Sequence, residues 1–193
     1  MPRVVVVTGG SRGLGAAIAE LAAERGYHVC VAFREDAERA HRVVGTIERA
    51  GGRALAAQAD VGRDDDVRRL FDEVDQELGP VTALVNNAGS SGARGRVDAL
   101  QGDEVMRLLA TNVCGPLLCA REAIRRMSTL YGGSGGAIVN LSSVAARLGG
   151  PGRNVHYAAS KGAIDTGDAF ERSVVDELNQ WKSIIAAEGI VDE

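Results

Sequence analysis

Short apolar runs of strand length alternate along the chain with longer stretches in which apolar residues recur every three to four positions. That is the signature of strands interleaved with helices. Residues 4–7 are four consecutive valines, as expected of a strand buried on both faces of a parallel sheet. They lead into a glycine-rich turn, after which Ala17, Ile18, Leu21 and Ala22 lie at helical spacing. A second strand is predicted over 29–33, and Ala40, Val43, Val44 and Ile47 mark a helix that runs out at Gly51-Gly52. The next unit predicts a strand over 53–59, a helix over 64–78 and, past Gly79-Pro80, a fourth strand over 81–85. Asp64, Asp65 and Asp66 open that helix as a capping feature, because carboxylates suit the positive end of a helix dipole. A loop rich in Gly, Ser and Arg over 90–96 precedes a long helical stretch, 98–130, which Pro116 is expected to bend or interrupt. A fifth strand over 137–141 and a helix holding Tyr157 and Lys161 continue the alternation. The repeated order predicts an α/β fold, a doubly wound parallel sheet with helices on both faces.

A length of 193 residues, 45% of them hydrophobic, suits one compact domain with a real core. The net charge of -4, without a basic run, argues against nucleic acid or an anionic membrane surface as the principal partner. Met-Pro-Arg passes straight into the valines, too short a run before glycine for a signal peptide or membrane span, so a cytoplasmic protein is expected. Cys30, Cys114 and Cys119 form neither a metal-ligand spacing nor an even disulfide set, and are expected as buried reduced thiols. His28, His41 and His156 are scattered without ligand neighbours, so no metal site is expected.

The chemistry lies in an ordered set of motifs. Thr8-Gly9-Gly10-Ser11-Arg12-Gly13-Leu14-Gly15 ends the first strand where a backbone can approach a phosphate group and turn into a helix whose N-terminal amides point at the anion. Asn86-Asn87-Ala88-Gly89, Asn112, Ser143 and Tyr157-Ala158-Ala159-Ser160-Lys161 follow in turn. In this order and spacing the set resembles the short-chain dehydrogenase/reductase family over roughly residues 2–166, and the resemblance implies a Rossmann-like fold that binds a nicotinamide cofactor.

The resemblance assigns Gly9, Ser11, Arg12, Gly13, Leu14 and Gly15 to the cofactor's pyrophosphate turn, Asp60 and Val61 to its adenine ring, and Asn87, Ala88 and Gly89 to its adenosine-ribose side. Asn86 suits a structural role as well as ligand contact. Phe33-Arg34 at the tip of the second strand carries no carboxylate where relatives that prefer NAD carry Asp. Arg12 and Arg34 could converge on a 2′-phosphate, so NADP(H) is favoured over NAD(H). Glu35 and Asp36 follow directly and could instead neutralise Arg34 in a solvated charge cluster.

Tyr157 and Lys161 are four apart and share a helix face. A phenol ordinarily titrates near pH 10, and an adjacent ammonium favours its phenolate. By resemblance Tyr157 is the general acid/base, Lys161 tunes it and binds the nicotinamide ribose and the cofactor, and Ser143 orients the substrate oxygen. Ser142 competes with Ser143 for that role. By resemblance Asn112 breaks the long helix and holds a water that connects Lys161 to solvent.

After residue 166 the chain departs from the family. The sixth strand, its Pro-Gly turn and the substrate lid are not found, and the sequence is read as C-terminally truncated or divergent. Residues 1–166 are expected as an incomplete NADP-binding domain and 167–193 as a helical tail with Phe170, Val174, Leu178, Trp181 and Ile185 at helical spacing. The fifth strand is then an exposed sheet edge unless the tail or another subunit covers it, so a homo-oligomer is expected. Two functions stand: an NADP(H)-dependent oxidoreductase acting on a small-molecule carbonyl or secondary alcohol, and a truncated non-catalytic nucleotide-binding or interaction module.

Overall fold

The computed structural model describes residues 2–150 and 153–165. The valine run becomes β1 (Arg3–Thr8), and Val4 through Val7 are fully buried. Successive side chains on a strand point to opposite faces, so Val4 and Val6 enter one apolar cluster and Val5 and Val7 the other. The first cluster takes Val67, Leu70, Phe71 and Val74 from α3 (Asp64–Glu77) and Cys119, Ala123 and Met127 from α5 (Gly115–Met127). The second takes Ile18 and Ala22 from α1 (Gly13–Glu24) and Val43, Val44 and Ile47 from α2 (Ala37–Arg49). The four fully buried α3 side chains follow the i, i+3, i+4, i+7 spacing of one helix face, each contributing about 1.5–3 kcal/mol of burial.

The remaining strands are β2 (Tyr27–Phe33), β3 (Ala54–Gln58), β4 (Ala83–Asn86) and β5 (Ala137–Asn140), all parallel, in the order β3-β2-β1-β4-β5. Strand order reverses between β1 and β4, the chain passing from β1 to one side and from β4 to the other, so a crevice opens beyond the carboxyl ends of these two parallel strands. Thr8 ends β1 and Asn86 ends β4, so Gly9 and Asn87 emerge side by side there.

The long helical stretch divides into α4 (Gly102–Leu109), a π turn at Ala110–Cys114 and α5. Pro116 sits in the first turn of α5, and the interruption lies one turn earlier. Proline has no N–H for the carbonyl four residues back, here that of Asn112, and its ring crowds that carbonyl. The break therefore falls on the residue that the motif reading singled out.

Asp64, Asp65 and Asp66 fill the first turn of α3, as the dipole reading expects, while the N-cap is Arg63 and no side chain caps it. Asp64 also pairs with Arg68 at 2.6 Å and with Arg121 of α5, while Asp66 accepts the Asp60 N–H at 3.0 Å and pairs with Arg69 at 3.0 Å. One expectation, the burial of all three thiols, is corrected. Cys114 is exposed, because the π turn rotates it away from the core that holds Cys30 and Cys119.

Two short helices, α6 (Ala145–Leu148) and α7 (Val155–Ile164), follow β5. Among the described residues β5 is the last strand on its side of the sheet. The tail helix expected from Phe170, Val174, Leu178, Trp181 and Ile185 lies outside the described residues. No helix among them is long and apolar enough to cross a membrane.

Candidate active site

The turn after β1 is held from beneath by Thr8 and Asn87. The buried Thr8 hydroxyl accepts the N–H groups of Asn87 and Ala88 at 3.1 and 3.0 Å, and Asn87 Nδ2 donates to the carbonyls of Thr8 and Gly9 at 2.8 and 3.1 Å. Gly9 has φ +64°, and a Cβ there would meet Ala88 Cα at 3.0 Å. At Gly15 a Cβ would collide with Asn87 Nδ2 and the Gly9 carbonyl, so this glycine closes helix against turn. The first helical hydrogen bond of α1 runs from Ala16 N–H to the Arg12 carbonyl, which leaves the amides of Gly13, Leu14 and Gly15 ahead of it. Those amides and the dipole of a 12-residue helix make this turn fit a pyrophosphate.

A cleft of about 750 Å³ runs from the turn past the ends of β2, β3 and β4. It is lined by Gly9, Ser11, Arg12, Gly13, Arg34, Asp60, Val61, Asn87, Ala88 and Gly89, as well as Ser90, Ser91 and Thr111. Leu14 and Gly15 do not line it: Leu14 packs on the core beneath α1, and Gly15 is buried. Asp60 is fixed as a turn, its Oδ1 accepting the Gly62 N–H at 2.9 Å. The Asp60 N–H in turn bonds to Asp66, and with Arg69 it holds the Asp66 carboxyl below the usual carboxylate range. Val61 leans on α5, where a Cβ at Gly115 would stand only 2.7 Å from Val61 Cγ2.

Around the cleft's tip the acidic residues divide. Asp36 caps α2 through the Arg39 N–H at 3.0 Å and pairs with the Arg39 guanidinium at 3.1 Å. Glu35 pairs with Arg34 at 2.7 Å.

Asn112, Tyr157 and Lys161 gather beyond the other end of the cleft, and Gly89 joins the two regions. A Cβ on Gly89 would lie 3.5 Å from Asn112 Oδ1 and 3.7 Å from Lys161 Nζ. Lys161, only 6% exposed, donates to the Leu141 carbonyl at 2.6 Å, and its ammonium lies 6.0 Å from the centroid of the Tyr157 ring. Asn112 is buried in the π turn with its amide in use: Oδ1 accepts the Ser90 N–H at 2.9 Å, and Nδ2 donates to the Ser90 carbonyl at 2.8 Å and Ser160 Oγ at 2.9 Å. The two candidate serines diverge. Ser142 Oγ donates to the Lys161 carbonyl at 3.4 Å, whereas Ser143 Oγ accepts the Ala145 N–H at 3.2 Å and its hydroxyl hydrogen has no acceptor among the described residues.

Two residues that hold this arrangement were not singled out from sequence. Ser160 is fully buried, and its hydroxyl bridges Asn112 to the Tyr157 carbonyl, to which it donates at 2.7 Å. Its position three after Tyr157 on the same helix was the available signal. Asn140 receives Asn86 Nδ2 at 2.8 Å, and the same nitrogen reaches the Pro116 carbonyl at 3.1 Å. Asn86 thus braces β4 against β5 and α5.

A family model described as short chain dehydrogenase matches residues 3–191. The chain is 50% identical over 163 residues to an uncharacterized oxidoreductase, YgfF, of Escherichia coli strain K12, a match that covers 84% of this chain and 66% of that one. A short chain dehydrogenase from Burkholderia cenocepacia J2315, solved in complex with NADP, superposes with a TM-score of 0.77 at 36% identity, over 96% of this chain and 68% of that one. An NAD+-bound xylitol dehydrogenase superposes with a TM-score of 0.77 at 31% identity, over 84% of this chain and 60% of that one. Against YgfF the chain spans just under two thirds of its relative's length.

Proposed function

The chain belongs to the short-chain dehydrogenase family, and on that premise we propose that it is an NADP(H)-dependent oxidoreductase that interconverts a small-molecule carbonyl and secondary alcohol. The observation that carries this reading is the junction at Gly89, where a cleft that begins at the glycine-rich turn meets the Asn112, Lys161 and Tyr157 group. Gly13, Leu14 and Gly15 offer amides to the pyrophosphate, Asp60 and Val61 bound the adenine, and Arg12 and Arg34 receive the 2′-phosphate. When bound, the nicotinamide supplies or accepts the hydride.

The chain's own part is proton transfer and orientation. The Tyr157 hydroxyl exchanges a proton with the reacting oxygen, and the Lys161 ammonium stands 6.0 Å from the ring centroid on the same helix face. Ser143 directs its free hydroxyl hydrogen at the same oxygen, with its own Oγ steadied by Ala145. Asn112 sits in the π turn close to Lys161, its amide tied to Ser90 and Ser160, and its part is to hold that turn against the helix of Tyr157 and Lys161. Tyr157→Phe should lower turnover of NADPH with a carbonyl panel by about a hundredfold or more, while leaving the thermal stabilisation by NADPH in place. Turnover that survives the substitution overturns the assignment.

The second reading, nucleotide binding without turnover, draws on the absence of Ser143, Tyr157 and Lys161 from the cleft lining among the described residues. It predicts stabilisation by NADPH with no consumption across the panel. A cytoplasmic location and self-association complete the proposal. Met106, Leu117 and Ile124 on α4 and α5 are exposed apolar side chains that suit a second copy, which sedimentation would detect.

A further inference from the structure

Five charged residues line the cleft: Arg12, Arg34, Glu35, Asp36 and Asp60. Two of the carboxylates are committed to the backbone, Asp36 to the N-terminus of α2 and Asp60 to its own turn. The Arg12 side chain makes no hydrogen bond or ion pair among the described residues, its carbonyl alone being used, by the Ala16 N–H. Among the described residues the Arg34 guanidinium has one partner, Glu35 at 2.7 Å, and the pair is solvent-facing, with side chains 54% and 77% exposed. The Arg34 carbonyl is anchored by Gln58 Nε2 at 2.9 Å, so the backbone of this residue is fixed while its side chain can exchange partners.

We propose that Glu35 is a specificity-determining residue, a counter-ion that occupies Arg34 and that a 2′-phosphate must displace. The inference rests on the reading of this cleft as an NADP(H) site. A phosphate carrying nearly two negative charges then meets one unpaired arginine, Arg12, and one whose guanidinium is shared with a carboxylate. Exposed pairs of this kind are weak and screened by salt, so displacement is easy. Glu35 nonetheless costs affinity twice, through the contact it surrenders and through its repulsion of the phosphate. A cofactor with a 2′-hydroxyl has no such charge to be repelled. Glu35 thereby holds the preference for NADP(H) below what Arg12 and Arg34 alone would give. The opposite role, a carboxylate that accepts the ribose 2′-hydroxyl of NAD(H), makes the opposite prediction.

The test is titration of the full chain with NADPH and with NADH, followed by nicotinamide fluorescence, in the wild type, Glu35→Gln, Arg34→Gln and the double variant. Glu35→Gln is expected to tighten NADPH by about three- to tenfold at low ionic strength, shrinking to less than about twofold near 0.5 M salt. NADH should change by less than about twofold, and the NADPH gain should fall in the Arg34→Gln background. Unchanged NADPH affinity in a wild type that prefers NADPH overturns the role of Glu35 alone. Weakened NADH binding in Glu35→Gln assigns it to the ribose hydroxyl and overturns it too. A wild type that binds neither cofactor, or prefers NADH, overturns the cofactor reading and this inference together.

Discussion

Asn112 Nδ2 donates to Ser160 Oγ at 2.9 Å, and the pair ties the π turn to the helix of Tyr157 and Lys161. Ser160 passes the bond on to the Tyr157 carbonyl, so one buried hydroxyl connects two elements of the site, the π turn and α7. Ser160→Ala strands an amide hydrogen of Asn112 in a dry environment. The expected cost is about 1–3 kcal/mol, a Tm lower by roughly 2–10 °C for a chain of this size. In an Asn112→Ala background the same change should cost much less, a coupling that a double-mutant thermal cycle reads directly.

Gly115 begins α5 at φ -54°, where alanine would be conformationally welcome and worth about 1 kcal/mol as a helix former. Packing decides the sign against it. The new Cβ would stand 2.7 Å from Val61 Cγ2 and 3.1 Å from Val61 Cβ, and overpacking of this kind costs about 1–3 kcal/mol. Gly115→Ala is expected to lower Tm and weaken NADPH binding together, because Val61 lines the cleft. Val61→Ala in the same chain should restore stability, and a Tm that stays low in the double variant would disprove the contact.

Glu122, 6% exposed, receives hydrogen bonds from Arg121, Arg125 and Arg126. Burial opposes its ionisation, yet the hydrogen bonds from Arg126 and Arg121 outweigh burial and hold the carboxyl below its ordinary value of 4.5. A depressed folded value means stability that is present above the unfolded value and lost as pH falls through the folded one. Glu122→Gln should therefore cost about 1–2 kcal/mol at pH 7, and the difference from wild type should shrink as pH falls below the ordinary 4.5 and through the depressed folded value. Denaturant melts at pH 7 and pH 3 would measure it.

Burial pushes the Cys119 thiol up to about 12, with Glu122 adding to the effect, and burial first and Glu73 second push Cys30 higher still. Cys114 is exposed on the π turn. An aromatic disulfide reagent should titrate one thiol in the native chain and three after unfolding. Loss of the fast thiol in Cys114→Ser would identify it.

Sheet and helices were legible in the sequence because the signals are local. Four consecutive valines cannot be solvated, and Val67, Leu70, Phe71 and Val74 can share a face only on a helix. The motifs also stood in the sequence as motifs, since glycine at positions 9 and 15 answers to close backbone approach, and Tyr157 and Lys161 fall on one helical face by spacing alone. The π turn was legible from two sides, for Pro116 announced a break and the resemblance put it at Asn112, a turn earlier, where it lies.

Partner choice was not legible. Asp36 and Glu35 are adjacent acids after the same strand, yet one caps a helix and the other pairs with Arg34. Asp64 and Asp66 stand in the first turn of α3 as read, yet their arginine partners were not readable, and Ser142 and Ser143, neighbours in the chain, turn one to the Lys161 carbonyl and the other to Ala145. Local propensity fixes the backbone of a strand or helix within a few residues, so the sequence determined the order of elements and the location of the chemistry. The bond from Asn112 to Ser160 spans 48 residues and forms only after β4, the π turn and α7 have packed, so tertiary structure alone decided which polar groups meet.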